Sequence, residues 1–272
     1  MKTQINHHHK TDSKNYYELD STVLDVLHGY LHVQIGEKDV PVPYYINPKF
    51  RKELRALVGK GTPEEIVQET KVWAYSKGIN LKETKADELF KFMKHVGIGI
   101  DCSGIVYHAL ANFMYRHRLG NLFRKLKYGN HSLRAVVGRA LRPAEGLNAN
   151  DMTSLQNCSQ ISLAEVRPGD LIRGVGKQDN SYHVVIITKV EINASTGLPM
   201  KLEYIDSHRE YGTEEGPGVH EIIITNPHAA LHLQHFEITP GTDYNYLKQQ
   251  LTNDLDNTGI RRLNILEKFY EE

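Results

Sequence analysis

After residue 160 the texture of this 272-residue chain changes, and that change restricts its fold more than any other feature. Five short stretches, 169–173, 182–190, 201–206, 219–225 and 235–239, are rich in β-branched and aromatic residues and are punctuated by Gly, Pro and Asn. Before them, apolar residues recur at helical spacing. Helices followed by a run of strands predict an α+β domain, with an antiparallel sheet or partly closed barrel.

The first half supplies the helices. Thr62-Pro63-Glu64-Glu65 combines a capping threonine, a proline at the first helical position and a glutamate three residues after the cap. The helix is predicted to run to Ser76 and stop at Gly78, with Ile66, Val67, Val72, Trp73 and Tyr75 toward the core. A second helix, 85–95, ends in the turn from Gly97 to Gly99. Upstream, 1–20 reads as a loose polar tail, and 21–60 as an N-terminal addition with a short helix at 21–30. Partial alternation follows and ends at Pro41-Val42-Pro43, which interrupts regular structure. The main domain is expected over 61–268, closing with a helix near 244–255 and a strand at 259–263.

Lys and Arg number 33, as do Asp and Glu, so nothing global draws the chain to nucleic acid or an anionic membrane. The apolar runs are strand-sized, well short of the roughly 18 residues of a membrane span. The expectation is a soluble protein. The N-terminus lacks a signal-peptide core, which points to the cytoplasm, to trimming or to export by another route. From Arg116 to Arg142 there are eight Lys and Arg and no Asp or Glu. This block is a solvated basic face by default, or else a surface that gathers an anionic substrate. With only Phe123 and Tyr128 as large aromatics, it offers little stacking surface for single-stranded nucleic acid.

Two cysteines are too few for a disulfide framework. Cys158, between Asn157 and Ser159 in a polar loop, reads as a bystander. Cys102 differs because Asp101 before it is a good N-cap, and Ile105, Ala109, Leu110, Phe113 and Met114 form one face of a helix from 102 to 116. A thiol in that first turn faces unpaired N–H groups and the positive end of the helix dipole, which favour the thiolate nucleophile. Flanking glycines would let a substrate backbone approach, with Ser103 and Gly104 adding no bulk at the mouth. A cysteine in an apolar helix is ordinarily a small buried hydrophobe. A nearby base and a group to orient it would make the catalytic reading specific.

His183 supplies the base. It starts an apolar strand beside a loop, and an imidazole there can take the thiol proton and return it to a leaving amine. In the next strand Leu202, Tyr204, Asp206 and His208 share a face. Antiparallel pairing brings the end of that strand beside the start of the His183 strand, so Asp206 is the expected orienter and His208 the alternative third member. The histidines of the run His7-His8-His9 and the series His228, His232, His235 have ligand-type side chains, but the first sits in a tail and the second lacks a clear helix or an HExxH motif. No metal site is assigned to either, and no cofactor is called for.

Asp101-Cys102-Ser103-Gly104 with its apolar helix, then Arg167-Pro168-Gly169-Asp170-Leu171-Ile172, Tyr182-His183-Val184 and Tyr204-Ile205-Asp206 resemble, in that order, the NlpC-type family of papain-like cysteine peptidases. The resemblance spans about 62–266. It implies a papain-like fold, with the nucleophile at a helix N-terminus packed on the sheet, and cleavage of peptides such as the stem peptides of bacterial cell walls. In this chain it implies Cys102 as nucleophile, His183 as base, Asp206 as orienter and the Cys102 backbone N–H as oxyanion donor. The partner is then a peptide or peptidoglycan-like substrate, rather than nucleic acid or membrane. The chain departs from the family pattern in having no tyrosine among the residues from Phe92 to Gly99, an Asp at the third position and a long Cys-to-His interval. An acyltransferase on the same fold, or an inactive papain-like binding module, are the alternatives.

Overall fold

The computed structural model describes residues 15–46, 54–128, 133–177 and 181–271. Its helices are α1 (Ser21–Leu31), α2 (Pro63–Ser76), α3 (Ala86–Val96), α4 (Cys102–Arg116), α5 (Leu122–Lys125), α6 (Leu133–Leu141), α7 (Pro143–Gly146), α8 (Ala149–Thr153), α9 (Tyr246–Thr252) and α10 (Asn264–Glu271). The strands are β1 (Asn15–Glu18), β2 (His32–Ile35), β3 (Lys38–Pro41), β4 (Cys158–Gln160), β5 (Leu171–Val175), β6 (Tyr182–Ile192), β7 (Pro199–Tyr211), β8 (Glu214–Ile223), β9 (His235–Phe236) and β10 (Gly259–Leu263). The coarse class is α+β, as the sequence indicated.

Eight strands form one curled antiparallel sheet in the order β4-β10-β5-β6-β7-β8-β9, with β1 also paired to β6. β2 and β3 make a separate hairpin. β6 is apolar without alternation because both faces of the sheet are covered. Val184 and Ile186 pack with α1 and α4, whereas Val185 and Ile187 join Leu202, Ile222, Leu247 and Leu251 in a second core.

The segment 21–60 packs into the core of the domain that follows it. Val23, Leu27 and Tyr30 of α1, Val33 and Ile35 of β2, and Val40 and Val42 share one apolar core with Ile105, Ala109 and Leu110 of α4. The tail is also shorter than expected, since residues 15–18 pair with β6 from Asn15↔Ile192 to Glu18↔Lys189. The run at residues 7–9 lies outside the described residues.

The capping box at Thr62 is present, with Thr62 and Glu65 bonding each other's backbone N–H groups. The face of α2 differs from the expectation, because Val72 and Tyr75 are 59% and 89% exposed. Ile66, Thr70 and Ala74 are the buried residues, and Trp73 is half-buried against the core. A 14-residue helix with one narrow packed stripe leaves its flanking apolar positions in solvent.

Asp170 of the Pro-Gly-Asp-Leu segment has a structural place. Fully buried, it accepts from Nε and Nη2 of Arg262 on β10 at 2.8 Å each, and from the Arg167 N–H at 2.8 Å. This two-pronged ion pair ties β10 to the start of β5.

Candidate active site

Helix α4 begins at Cys102 because Asp101 caps it, its carboxylate accepting from the Gly104 N–H at 2.6 Å. The same carboxylate accepts from the Lys60 ammonium at 2.7 Å and from the Ser103 hydroxyl at 3.0 Å, all three residues being buried. Lys60 also bonds the Ser103 oxygen. A charge this deep has to be paired, and the pair fixes the first turn of α4 against the turn at Gly59.

The glycines serve this packing rather than an approaching substrate, contrary to the expectation. A Cβ on Gly104 would lie 2.5 Å from the Gly59 carbonyl oxygen, and one on Gly99 would lie 2.3 Å from that of Pro43. Gly59 itself has φ +77°. Ser103 points into the buried network instead of lining a mouth.

β6 and β7 pair antiparallel, with Ile186 opposite Ile205. This register brings the start of β6 to the far half of β7. Nε2 of His183 bonds Oδ2 of Asp206 at 2.7 Å, which leaves Nδ1 for a second partner. Cys102 stands close enough to the ring to act on it electrostatically. The next residue on β7, Ser207, donates to the Ile100 carbonyl at 2.8 Å. Neighbouring residues of one strand thus hold the base and the loop that delivers the thiol. His208 does not reach His183; its Nδ1 bonds the Arg209 carbonyl at 2.9 Å and its ring stacks on Tyr246, centroids 4.6 Å apart.

Burial by itself pulls the His183 imidazole toward its neutral form. The Tyr246 oxygen, the Cys102 sulfur and Asp206 outweigh this and favour its protonation well above the usual histidine range. Burial likewise raises the Asp206 carboxyl, but the imidazoles of His183, His220 and His208 hold it far below the usual carboxylate range. The arrangement suits a thiolate–imidazolium pair backed by a carboxylate.

Four contributors had no local sequence signal. Tyr44 lies near Cys102 because the backbone around it runs alongside the loop before α4, with the Ile100 N–H donating to the Pro43 carbonyl at 3.1 Å and the Tyr45 N–H to the Ile100 carbonyl at 3.3 Å. Burial, then the nearby Cys102 and Asp101, keep the Tyr44 phenol protonated well above its ordinary range. Tyr246 of α9 meets the His183 ring edge-on at 5.3 Å. Lys60 anchors Asp101, and His220 faces Asp206 from β8.

The site is more enclosed than an open cleft. Cys102 is 7% exposed, and His183 and Asp206 less. A recess of about 340 Å³ lies elsewhere, lined by Leu163, His228, His232, Leu251 and Thr258, and includes none of the three. Cys158 is buried at the start of β4 rather than in a polar loop, with its thiol donating to the Met152 carbonyl at 2.9 Å. Among the described residues, the metal-ligand-type side chains that gather in threes are Asp206, His208 and His220, not His228, His232 and His235.

No family model, curated protein or solved structure matches the chain. No helix among the described residues is long and apolar enough to cross a membrane.

Proposed function

We propose that the chain is a papain-like cysteine peptidase or amidase that hydrolyses an amide bond in a peptide through a thioester acyl-enzyme. The observation that carries this reading is the meeting of Cys102, at the N-terminus of α4, with a His183 ring already bonded to Asp206 at 2.7 Å. The order of the motifs along the chain, similar to that of NlpC-type peptidases, supports it. A cell-wall stem peptide is the substrate class the resemblance suggests.

In this mechanism the Cys102 thiol gives its proton to Nδ1 of His183, and the sulfur attacks the carbonyl carbon. Negative charge develops on the carbonyl oxygen. The Cys102 N–H and the protonated Tyr44 hydroxyl are the donors available to hold it. Tyr44 supplies from upstream the tyrosine that the sequence before Asp101 lacks. The imidazolium then protonates the leaving nitrogen, the C–N bond breaks and a thioester remains. Water, deprotonated by His183, attacks the thioester, releases the acid and restores the thiol. Because Cys102 is nearly enclosed, substrate entry requires movement at the mouth of the site.

The test is incubation with cell-wall stem-peptide fragments, with the products read by mass spectrometry. Two hydrolytic fragments from the native protein, and none from Cys102→Ser, are expected. A transferred acyl group would show an acyltransferase instead, and identical product patterns from both proteins would overturn the reading.

A further inference from the structure

Behind the base, β7 and β8 bring a second set of groups together. Tyr204 pairs with His220, Asp206 with Gly218 and His208 with Gly216. The residues opposite Asp206 and His208 therefore carry no side chain. The His220 ring leans into that space, so that a Cβ on Gly218 would lie 2.6 Å from its Nε2. Tyr204 stacks on the other side of the ring, centroids 5.3 Å apart.

Two atoms of this set lack hydrogen-bond partners. Oδ1 of Asp206 and Nε2 of His220 are both buried and make no geometrically good hydrogen bond; they meet each other only as an ion pair at 3.4 Å. Such a pair leaves the hydrogen-bonding capacity of both buried atoms incompletely used. The separation is too long for a good hydrogen bond, yet it matches the edge of a zinc tetrahedron, about 3.3 Å for ligand bonds of roughly 2.0–2.1 Å. His208 completes the group, with one ligand-type atom from each of the three residues within 4.8 Å of the others. Its Nδ1 bond to the Arg209 carbonyl leaves the lone pair of the neutral ring on Nε2, the outer-sphere support typical of metal-bound histidine.

We propose that Asp206, His208 and His220 form a site for a divalent transition-metal ion, zinc being the ion whose chemistry fits two imidazoles and a carboxylate, and that its occupation restrains the Cys102–His183 pair. The ion takes Oδ1 while Oδ2 stays with His183. An ion on Oδ1 therefore draws on the same carboxylate that orients the His183 ring, and restrains the pair through that shared group. The metal site stands on its own geometry. Only the restraint rests on the catalytic reading.

Binding is tested first, in full-length chain carrying Cys102→Ser and His7, His8 and His9→Ser, which removes the competing thiol and the histidine run. Equilibrium dialysis with Zn²⁺ and the visible spectrum with Co²⁺ are expected to show one site of low symmetry. His220→Asn and His208→Asn, each checked for native circular dichroism, are expected to weaken it at least about 100-fold. Unchanged stoichiometry and affinity in both folded variants would overturn the site.

The restraint is tested in protein with an intact Cys102, by the rate of its alkylation with iodoacetamide. Zn²⁺ is expected to slow it in the native chain and not in His220→Asn. Equal slowing in both would place the ion on Cys102 itself and overturn the restraint. Metal binding without peptide hydrolysis would sink the catalytic reading and leave the site standing.

Discussion

Replacing Asp206 with Asn keeps the shape of the side chain and removes the charge that holds His183 as an acceptor-facing imidazolium. The expected result is a loss of kcat/KM on the order of 10²–10⁴-fold with little change in melting temperature, measured on whichever peptide the native protein cleaves. His208→Gln, in the absence of metal, is expected to fall far less, because His208 bonds the Arg209 carbonyl and not the base. Tyr44→Phe is expected to lower kcat on the order of 10²-fold with KM little changed, if its hydroxyl meets the developing oxyanion. Cys158 is the contrasting thiol. Burial pushes it up to about 12, so it is expected to stay protonated and unalkylated in native protein at neutral pH. Alternation along one strand and antiparallel order narrowed the partner of His183 to Asp206 or His208 in the sequence, and the chemistry of a carboxylate favoured Asp206, the one that bonds it. Tyr44 and Tyr246 were not, since each arrives from a distant segment through contacts with no local pattern.

Elements position these residues through a few buried polar ties. Helix α4 was legible from its cap and apolar face, and the capping box of α2 from four consecutive residues. The glycines beside Cys102 were misread because a glycine gives the same sequence signal whether a substrate or another backbone comes close. Gly104→Ala is expected to destabilise the fold by about 1–3 kcal/mol by chemical denaturation, since its Cβ would meet a carbonyl oxygen and not a movable side chain. Lys60→Met leaves the buried Asp101 carboxylate without its cation. The expected cost is about 3–5 kcal/mol, together with slower alkylation of Cys102 as the first turn of α4 loosens.

At the scale of the whole molecule, one apolar core joins the segment 21–60 to the domain that the sequence reading had it pack on. The run of strands after residue 160 was visible in its β-rich stretches and their Gly, Pro and Asn punctuation. That 21–60 packs on the main domain was expected, but that it packs against α4 was not legible, because an amphipathic helix does not reveal which surface it covers. A chain beginning at residue 61 exposes Ile100, Ile105 and Leu110, and is expected to be insoluble or to melt without a cooperative transition. Survival of a folded, monodisperse fragment would show that the first segment is an accessory after all. The central claim concerns one sulfur and one ring, and it is tested most directly by the rate at which iodoacetamide labels Cys102 at neutral pH in native, metal-free protein and in His183→Gln. Cys158 in the same digest serves as the unreactive reference. The account expects rapid labelling of Cys102 alone, slowed at least about tenfold by the substitution; equal rates in the two proteins, or a native Cys102 no more reactive than Cys158, would contradict it.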